Sequence, residues 1–293
     1  MSTRSDVHDA SGLAEYIKGM ARSQGDKAKI LEFVYGSRVL ELGCGSGAVL
    51  ELLQQHDQTA ALVGIDLSAK LLGTATQRLA GTVRLYRHDI FELCNHPQEL
   101  PEPAFSSVIL CSALHEFATF ALEHPERFLE PGVPPMHVAA KRIFRLASAF
   151  LEPGGRLIIR DGVKLEPQNL SIQFKSAELQ EVFWRFSDDF RPFKLEFMLQ
   201  GTTYTMQANH FYEFATKYFY QTNWNIEVGE IFGWASSQDL ENLLRETGFI
   251  PETRKVYAID FLAQKWREAF EITDQDGNPF ALPSTQIVTA RAT

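Results

Sequence analysis

The stretch RVLELGCGSGAVLELLQQH, residues 38–56, constrains the fold more than any other part of the chain. RVLEL is an apolar run of strand length. Alternating glycines follow at 43, 45 and 47, and the chain then continues with helical spacing. A strand, a glycine turn and a helix in that order begin a unit whose next strand lies parallel to the first. The rhythm repeats. Residues 61–67 read as a second strand and 68–80 as a helix with Ser68 as its N-cap. Residues 83–90 and 106–114 read as a third and a fourth strand, 136–151 as a helix stopped by Pro153 and two glycines, and 155–161 as a fifth strand. Such alternation predicts a doubly wound parallel α/β sheet with helices on both faces. Ligands of such sheets bind at the carboxyl ends of the strands, at the topological switch point.

The rhythm breaks over residues 164–235. Sixteen of the chain's 34 aromatic residues fall between Phe183 and Trp234, which suggests a separately packed region. A helix over 236–249, capped by Ser236 or Ser237, a strand over 252–259 and a strand over 284–292 resume the pattern. The expected organisation is an N-terminal helical segment over 1–37, a core made of 38–163 and 236–293, and an inserted cap over 164–235. Residues 12–35 also have helical spacing.

Of the 293 residues, 45% are hydrophobic and 22% charged, a globular composition. The formal net charge of −9 repels a polyanion, so nucleic acid is not the expected partner. Cys44, Cys94 and Cys111 are odd in number and widely spaced. They suggest no disulfide framework and point to a reducing, cytoplasmic setting. No membrane-spanning stretch and no signal peptide is read in the sequence. The histidines are scattered, so no metal is expected. DQDGNP, 274–279, lacks the closing glutamate of a calcium loop and reads as a turn. No G-x-S-x-G nucleophile elbow is present.

GCGSGA satisfies the G-x-G-x-x-G/A pattern, and Asp66 stands 23 residues after Gly43, as a ribose-binding carboxylate would. Both a dinucleotide and S-adenosylmethionine carry a ribose, so Asp66 does not separate them. Glu41 does. A unit charge pair at ~4 Å is worth on the order of a few kcal/mol at intermediate dielectric. That sign opposes a pyrophosphate beside Glu41 and favours an ammonium or a sulfonium. An NAD(P)-dependent oxidoreductase on a related sheet and a non-catalytic nucleotide-binding or dimerisation module remain as rival readings, the aromatic insertion serving the latter as an interface.

In order, VLELGCGSGAVLELL, LVGIDLSAKLLGTA, VRLYRHDIFEL, SVILCSALHEF and LEPGGRLIIRDG resemble the motifs of class I S-adenosylmethionine-dependent methyltransferases. The resemblance covers about residues 30–163 and resumes over 236–293. It implies a seven-stranded, doubly wound, Rossmann-like sheet with an antiparallel last strand, here with N-terminal helices and a mainly helical cap. It also implies that Glu41, Gly43, Gly45 and Gly47 line the methionine part of the cofactor, that Asp66 holds the ribose, and that Leu67 packs on the adenine. Asp89 would accept from the adenine amino group with Ile90 beside the ring. Cys111 and Ser112 would flank the cofactor, and Tyr16 would belong to a lid over it.

Methyl transfer needs chiefly alignment, plus a base when the nucleophile arrives protonated. His115 and Glu116 follow the fourth strand on the ligand side. His115 is the candidate base, with a helix cap or packing role as the alternative. Asp161 ends the fifth strand and either orients substrate or pairs with Arg160. In ANHFYEFATKYFYQTNW, 208–224, His210 and Tyr212 offer polar handles for a substrate lid, with His210 a further catalytic candidate. The alternative is a core helix of the cap, with Glu213 and Lys217 as a surface i, i+4 pair. The expected function is methyl transfer to an oxygen, nitrogen or carbon of a small molecule, in biosynthesis, with a homodimer as the candidate assembly.

Overall fold

The computed structural model describes residues 24–58, 60–79 and 83–293. Its larger sheet has seven strands: β1 Arg38–Leu42, β2 Ala61–Asp66, β3 Arg84–Arg87, β4 Phe105–Cys111, β5 Leu151–Asp161, β9 Phe249–Tyr257 and β11 Thr285–Ala292. Their order is β3-β2-β1-β4-β5-β11-β9. β1 to β5 pair in parallel, and β11 runs antiparallel to both of its neighbours. The order reverses between β1 and β4, so the crevice expected at a switch point opens at their carboxyl ends.

The continuous apolar runs of the central strands follow from burial on both faces. Successive side chains of a strand point to opposite faces. Leu40, Val108, Leu157 and Val288 accordingly join one hydrophobic cluster, and Val39, Ile109, Ile158 and Ile287 join another. Helices α1 Ala48–His56 and α2 Ala69–Arg78 supply the second cluster. Helices α3 Ile90–Asn95, α4 Leu114–Glu123 and α5 Pro135–Phe150 supply the first. Ser68 caps α2 by accepting from the Leu71 N–H, as its position in the sequence suggests.

Between β5 and the later core strands lie β6 Asn169–Phe174, α6 Ala177–Asp189, β7 Phe197–Gln200, β8 Thr203–Gln207, α7 Ala208–Lys217 and a short helical turn, Trp224–Glu227. Helix α8 Ser237–Glu246 then returns to the sheet, with a reciprocal capping box between Ser236 and Asp239. Helix α9 Asp260–Ala269 and strand β10 Phe270–Thr273 precede β11. The inserted region holds helices, and beyond that expectation it gives three strands to a four-stranded antiparallel sheet of order β10-β6-β8-β7. β10 comes from far along the chain, and Trp266 and Phe270 pack with Phe183, Phe211 and Phe214 in one aromatic core. Part of the 236–293 segment therefore sits with the cap in space. Before β1, Gln24–Lys27 form a helical turn and Ala28–Phe33 a 3-10 segment. The 12–23 part of the helix expected over 12–35, and Tyr16 with it, lies outside the described residues. Among the described residues, no helix is long and apolar enough to cross a membrane.

Candidate active site

The glycine loop joins β1 to α1 and lies against the end of β2. The N–H groups of Gly43 and Cys44 donate to the Ile65 carbonyl at 2.8 and 3.0 Å. Gly43 has φ +75°, and a Cβ there would stand 2.8 Å from the Cβ of Ala113. Only glycine permits both the backbone angle and that approach. Asp66 is held by the same loop: its Oδ2 accepts from the Gly45 N–H and its Oδ1 from the Ser68 N–H, each at 2.8 Å. Gly47 departs from expectation, since it does not border the cavity. It opens α1 at φ +77°, facing Ala75 and Leu79 of the next helical layer.

Glu41 is 2% exposed and borders a cavity of about 440 Å³. Its Oε2 has no hydrogen-bond partner among the described residues. Burial raises its pKa well above the ordinary value; Lys27 pulls it down and Asp66 pushes it further up. Lys27, buried and on the cavity wall, is a site residue that no sequence motif announces. Burial lowers its pKa against the opposing pull of Cys111 and Glu41. Leu67, Asp89 and Ile90 continue the same wall. Asp89 caps α3 by accepting from the Phe91 N–H at 2.8 Å. Cys111 and Ser112 close it from the end of β4. Ser112 holds a positive φ of 56°, and its Oγ accepts from Arg160 at 2.9 Å.

Adjacent positions of β5 separate two charges. Arg160 pairs with Asp26 on the N-terminal turn, and Asp161 turns the other way to His115. Asp161 is therefore not Arg160's partner. The His115 Nδ1 lies 2.6 Å from Asp161 Oδ1, and the His115 N–H donates to Oδ2 at 3.1 Å. Burial pulls the imidazole down, but the Asp161 carboxylate outweighs it and sets the pKa at about 9. Burial would raise Asp161, yet His115 and the backbone donors hold it below the usual carboxylate value. Ionised Asp161 accepts, so Nδ1 donates and Nε2 is the free end of the ring. Glu230 Oε2 stands 3.9 Å from Nε2. The Phe232 ring packs on the imidazole with centroids 4.5 Å apart. Glu116 borders the cavity beside them.

The cap closes the far side. Tyr212 borders the cavity, but its hydroxyl is committed. It donates to the Ser284 carbonyl at 2.7 Å and accepts from the Val163 N–H at 3.1 Å, bolting α7 to the core. His210 is not on the cavity wall. Its Nδ1 accepts from the Glu196 N–H, and its ring packs on Phe193, so the structure does not bring it to the site. Glu213 and Lys217 are a buried pair rather than a surface one. The Glu213 carboxylate also accepts from the N–H groups of Phe232 and Gly233, fixing the loop that carries Glu230 and Phe232. Asn223, Glu227 and Glu230 line the cavity from the cap. The sequence reading missed them because the stretch NWNIEVGEIF carries no motif; only its acidic i, i+3 spacing marks it.

The residues around Glu41 fit S-adenosylmethionine better than a diphosphate. Three carboxylates, Glu41, Asp66 and Asp89, face this end, and a buried unpartnered carboxylate oxygen suits an ammonium. Among the described residues there is no cluster that would hold a metal ion.

Residues 39–132 match the family model described as a methyltransferase domain. The chain is 30% identical over 124 residues to a trans-aconitate 2-methyltransferase of Methylobacterium nodulans, covering 42% of this chain and 46% of that protein. It is 40% identical over 60 residues to a tRNA (guanine-N(7)-)-methyltransferase of Stenotrophomonas maltophilia, covering 19% of this chain and 25% of that protein. The chain thus spans less than half the length of either relative. Among solved structures, the pyocyanin biosynthetic protein PhzM shares the fold at a TM-score of 0.53 and 12% identity, over 97% of this chain and 59% of that one. The segment 39–132 therefore matches a methyltransferase domain and lies within the seven-stranded fold that PhzM shares.

Proposed function

We propose that this protein catalyses methyl transfer from S-adenosylmethionine to a small organic acceptor. One observation carries the reading: a single cavity joins the orphaned carboxylate of Glu41, beside the glycine loop, to the His115–Asp161 pair. When bound, S-adenosylmethionine supplies an electrophilic methyl group. Glu41 receives the ammonium of the methionine part, and the loop at Gly43 and Gly45 lies along it. Asp66 takes the ribose hydroxyls and Asp89 the adenine amino group, with Leu67 and Ile90 against the ring. Cys111 and Ser112 flank the reacting end. His115 accepts the acceptor's proton at Nε2, while Asp161 fixes the ring through Nδ1 and stabilises the imidazolium. Glu116 lines the acceptor side. Tyr212 acts there through its ring and through the position it gives α7.

The names of the two relatives specify acceptors of different chemistry, a small polycarboxylate and a tRNA. A net charge of −9 argues against the nucleic acid, and the cap's aromatic walls support a small molecule. The three cysteines are unpaired, which supports a reducing, cytoplasmic setting.

Titration calorimetry with S-adenosylhomocysteine tests the assignment. Wild type should bind it, and Asp66→Ala should weaken binding at least tenfold. Equal binding by the two forms, or thermal stabilisation by NADH but not by S-adenosylhomocysteine, would overturn it.

A further inference from the structure

The cap end of the cavity has acceptors to spare and few cations. Asn223 is 4% exposed and Glu227 6%, and both border the cavity. Asn223 Oδ1 and Glu227 Oε2 are buried without a hydrogen-bond partner among the described residues. Glu230 and Glu116 stand close enough to add their repulsion to Glu227. The lysine and arginine on the cavity wall are held at the other end: Lys27 beside Glu41 and Cys111, Arg160 bonded to Asp26 and Ser112. Lys217 is near Glu227 but off the wall, pairing with Glu213 and lying 3.9 Å over the Phe232 ring. The charge on His115 is matched by Asp161.

Three classes of acceptor fare differently here. An anion would meet the acidic side chains of Glu230 and Glu116 beside Glu227, with no unmatched cation to offset them. A neutral group without N–H or O–H donors would leave both oxygens unsatisfied. An ammonium can donate to both, and Phe120, Phe219 and Phe232 on the cavity wall give an apolar, aromatic surface to its body. Burial, with Glu230 behind it, pushes Glu227 up to about 8. Ligand-free, its carboxyl therefore keeps its proton at neutral pH and gives it up when a cation arrives.

We infer that the acceptor is an amine on an apolar, ring-bearing body, its ammonium seated on Glu227 and Asn223. This rests on the methyl-transfer reading and adds the substrate class.

Three probes with one body test it: 2-phenylethylamine, 2-phenylethanol and 3-phenylpropanoate, titrated calorimetrically into the protein saturated with S-adenosylhomocysteine. The amine should bind at least tenfold more tightly than the alcohol, and the propanoate should not bind. Amine binding should release close to one proton, read by repeating the titration in buffers of different ionisation enthalpy. Glu227→Gln should abolish that release and weaken the amine at least tenfold, leaving S-adenosylhomocysteine affinity within threefold, which also reports folding. Asn223→Leu should weaken the amine by a similar factor. Propanoate binding that matches the amine overturns the inference, as does amine affinity unchanged in a Glu227→Gln protein that binds S-adenosylhomocysteine normally. If wild type binds S-adenosylhomocysteine but does not prefer the amine, the inference alone falls. If it binds no S-adenosylhomocysteine, the methyl-transfer reading falls and takes the inference with it.

Discussion

A histidine beside an ionised carboxylate is both better placed and more basic than a free one. With a pKa of about 9, His115 is an imidazolium at neutral pH. As a base it must first lose that proton. The pH dependence of kcat/KM reports groups of the free enzyme. The rate should therefore rise with pH along a limb set near 9. Asp161→Asn removes the charge that raises the imidazole, so the limb should move toward 6.5 while the plateau falls, by on the order of 10²–10⁴-fold. The acceptor's own ionisation is common to both proteins, so the displacement belongs to His115. A histidine that merely packs would leave the limb in place, and an unmoved limb would end the base assignment. His115 stood out in the sequence because it follows a buried strand on the ligand side. Asp161 stood out too, at the end of the fifth strand, but its pairing did not, because strand alternation sends Asp161 and Arg160 to opposite faces and the spacing does not say which face meets the histidine.

At the scale of elements, α7 connects the cap to the chemistry. Glu213 receives Lys217 and the N–H groups of Phe232 and Gly233, so one carboxylate holds the loop that packs Phe232 on His115. Removing one member of a buried pair strands the other's charge, at a cost of about 3–5 kcal/mol. Glu213→Ala should lose stability of that order in urea unfolding. Its turnover should also fall at temperatures where it remains folded, because the Phe232 loop is released. A loss under about 1 kcal/mol would mean that the pair is not buried in solution. The same helix marks where sequence reasoning stops. Glu and Lys at i, i+4 look identical on a surface and in a core; here burial is decided by a loop some twenty residues away. The core sheet was legible because its central strands are buried on both faces and its loop needs glycine at Gly43. The cap sheet was not. β7 and β8 are short, and β10 arrives from beyond α9. Gly47 shows the same limit inside a motif: the G-x-G-x-x-G/A pattern leaves its position free, and its positive φ and packing against Ala75 and Leu79 supply the reason for a glycine.

The whole molecule carries an acidic surplus, and part of it is buried in one cavity, which couples folding to pH. His115 stands at about 9 in the fold against 6.5 when unfolded. Its contribution is fully present below 6.5 and is lost as pH rises through 9. Glu227 stands at about 8 against 4.5. The native state keeps a proton that the unfolded chain releases, so stability again falls as pH rises between those values. Asp161 is depressed and acts at the other end, losing its contribution only as pH falls below the ordinary carboxylate range. The ligand-free protein should therefore be most stable near pH ~5 and weaken steadily toward pH ~9. The gap at His115 alone is worth roughly 3 kcal/mol, at about 1.4 kcal/mol per pH unit. Urea midpoints across that range measure it. His115→Gln should flatten the upper part of the profile and Glu227→Gln the lower part, because each removes one proton that the native state holds and the unfolded state does not. A wild-type midpoint that stays level across the range would mean that neither group is shifted, and the charge arrangement assigned to the cavity would fail with it.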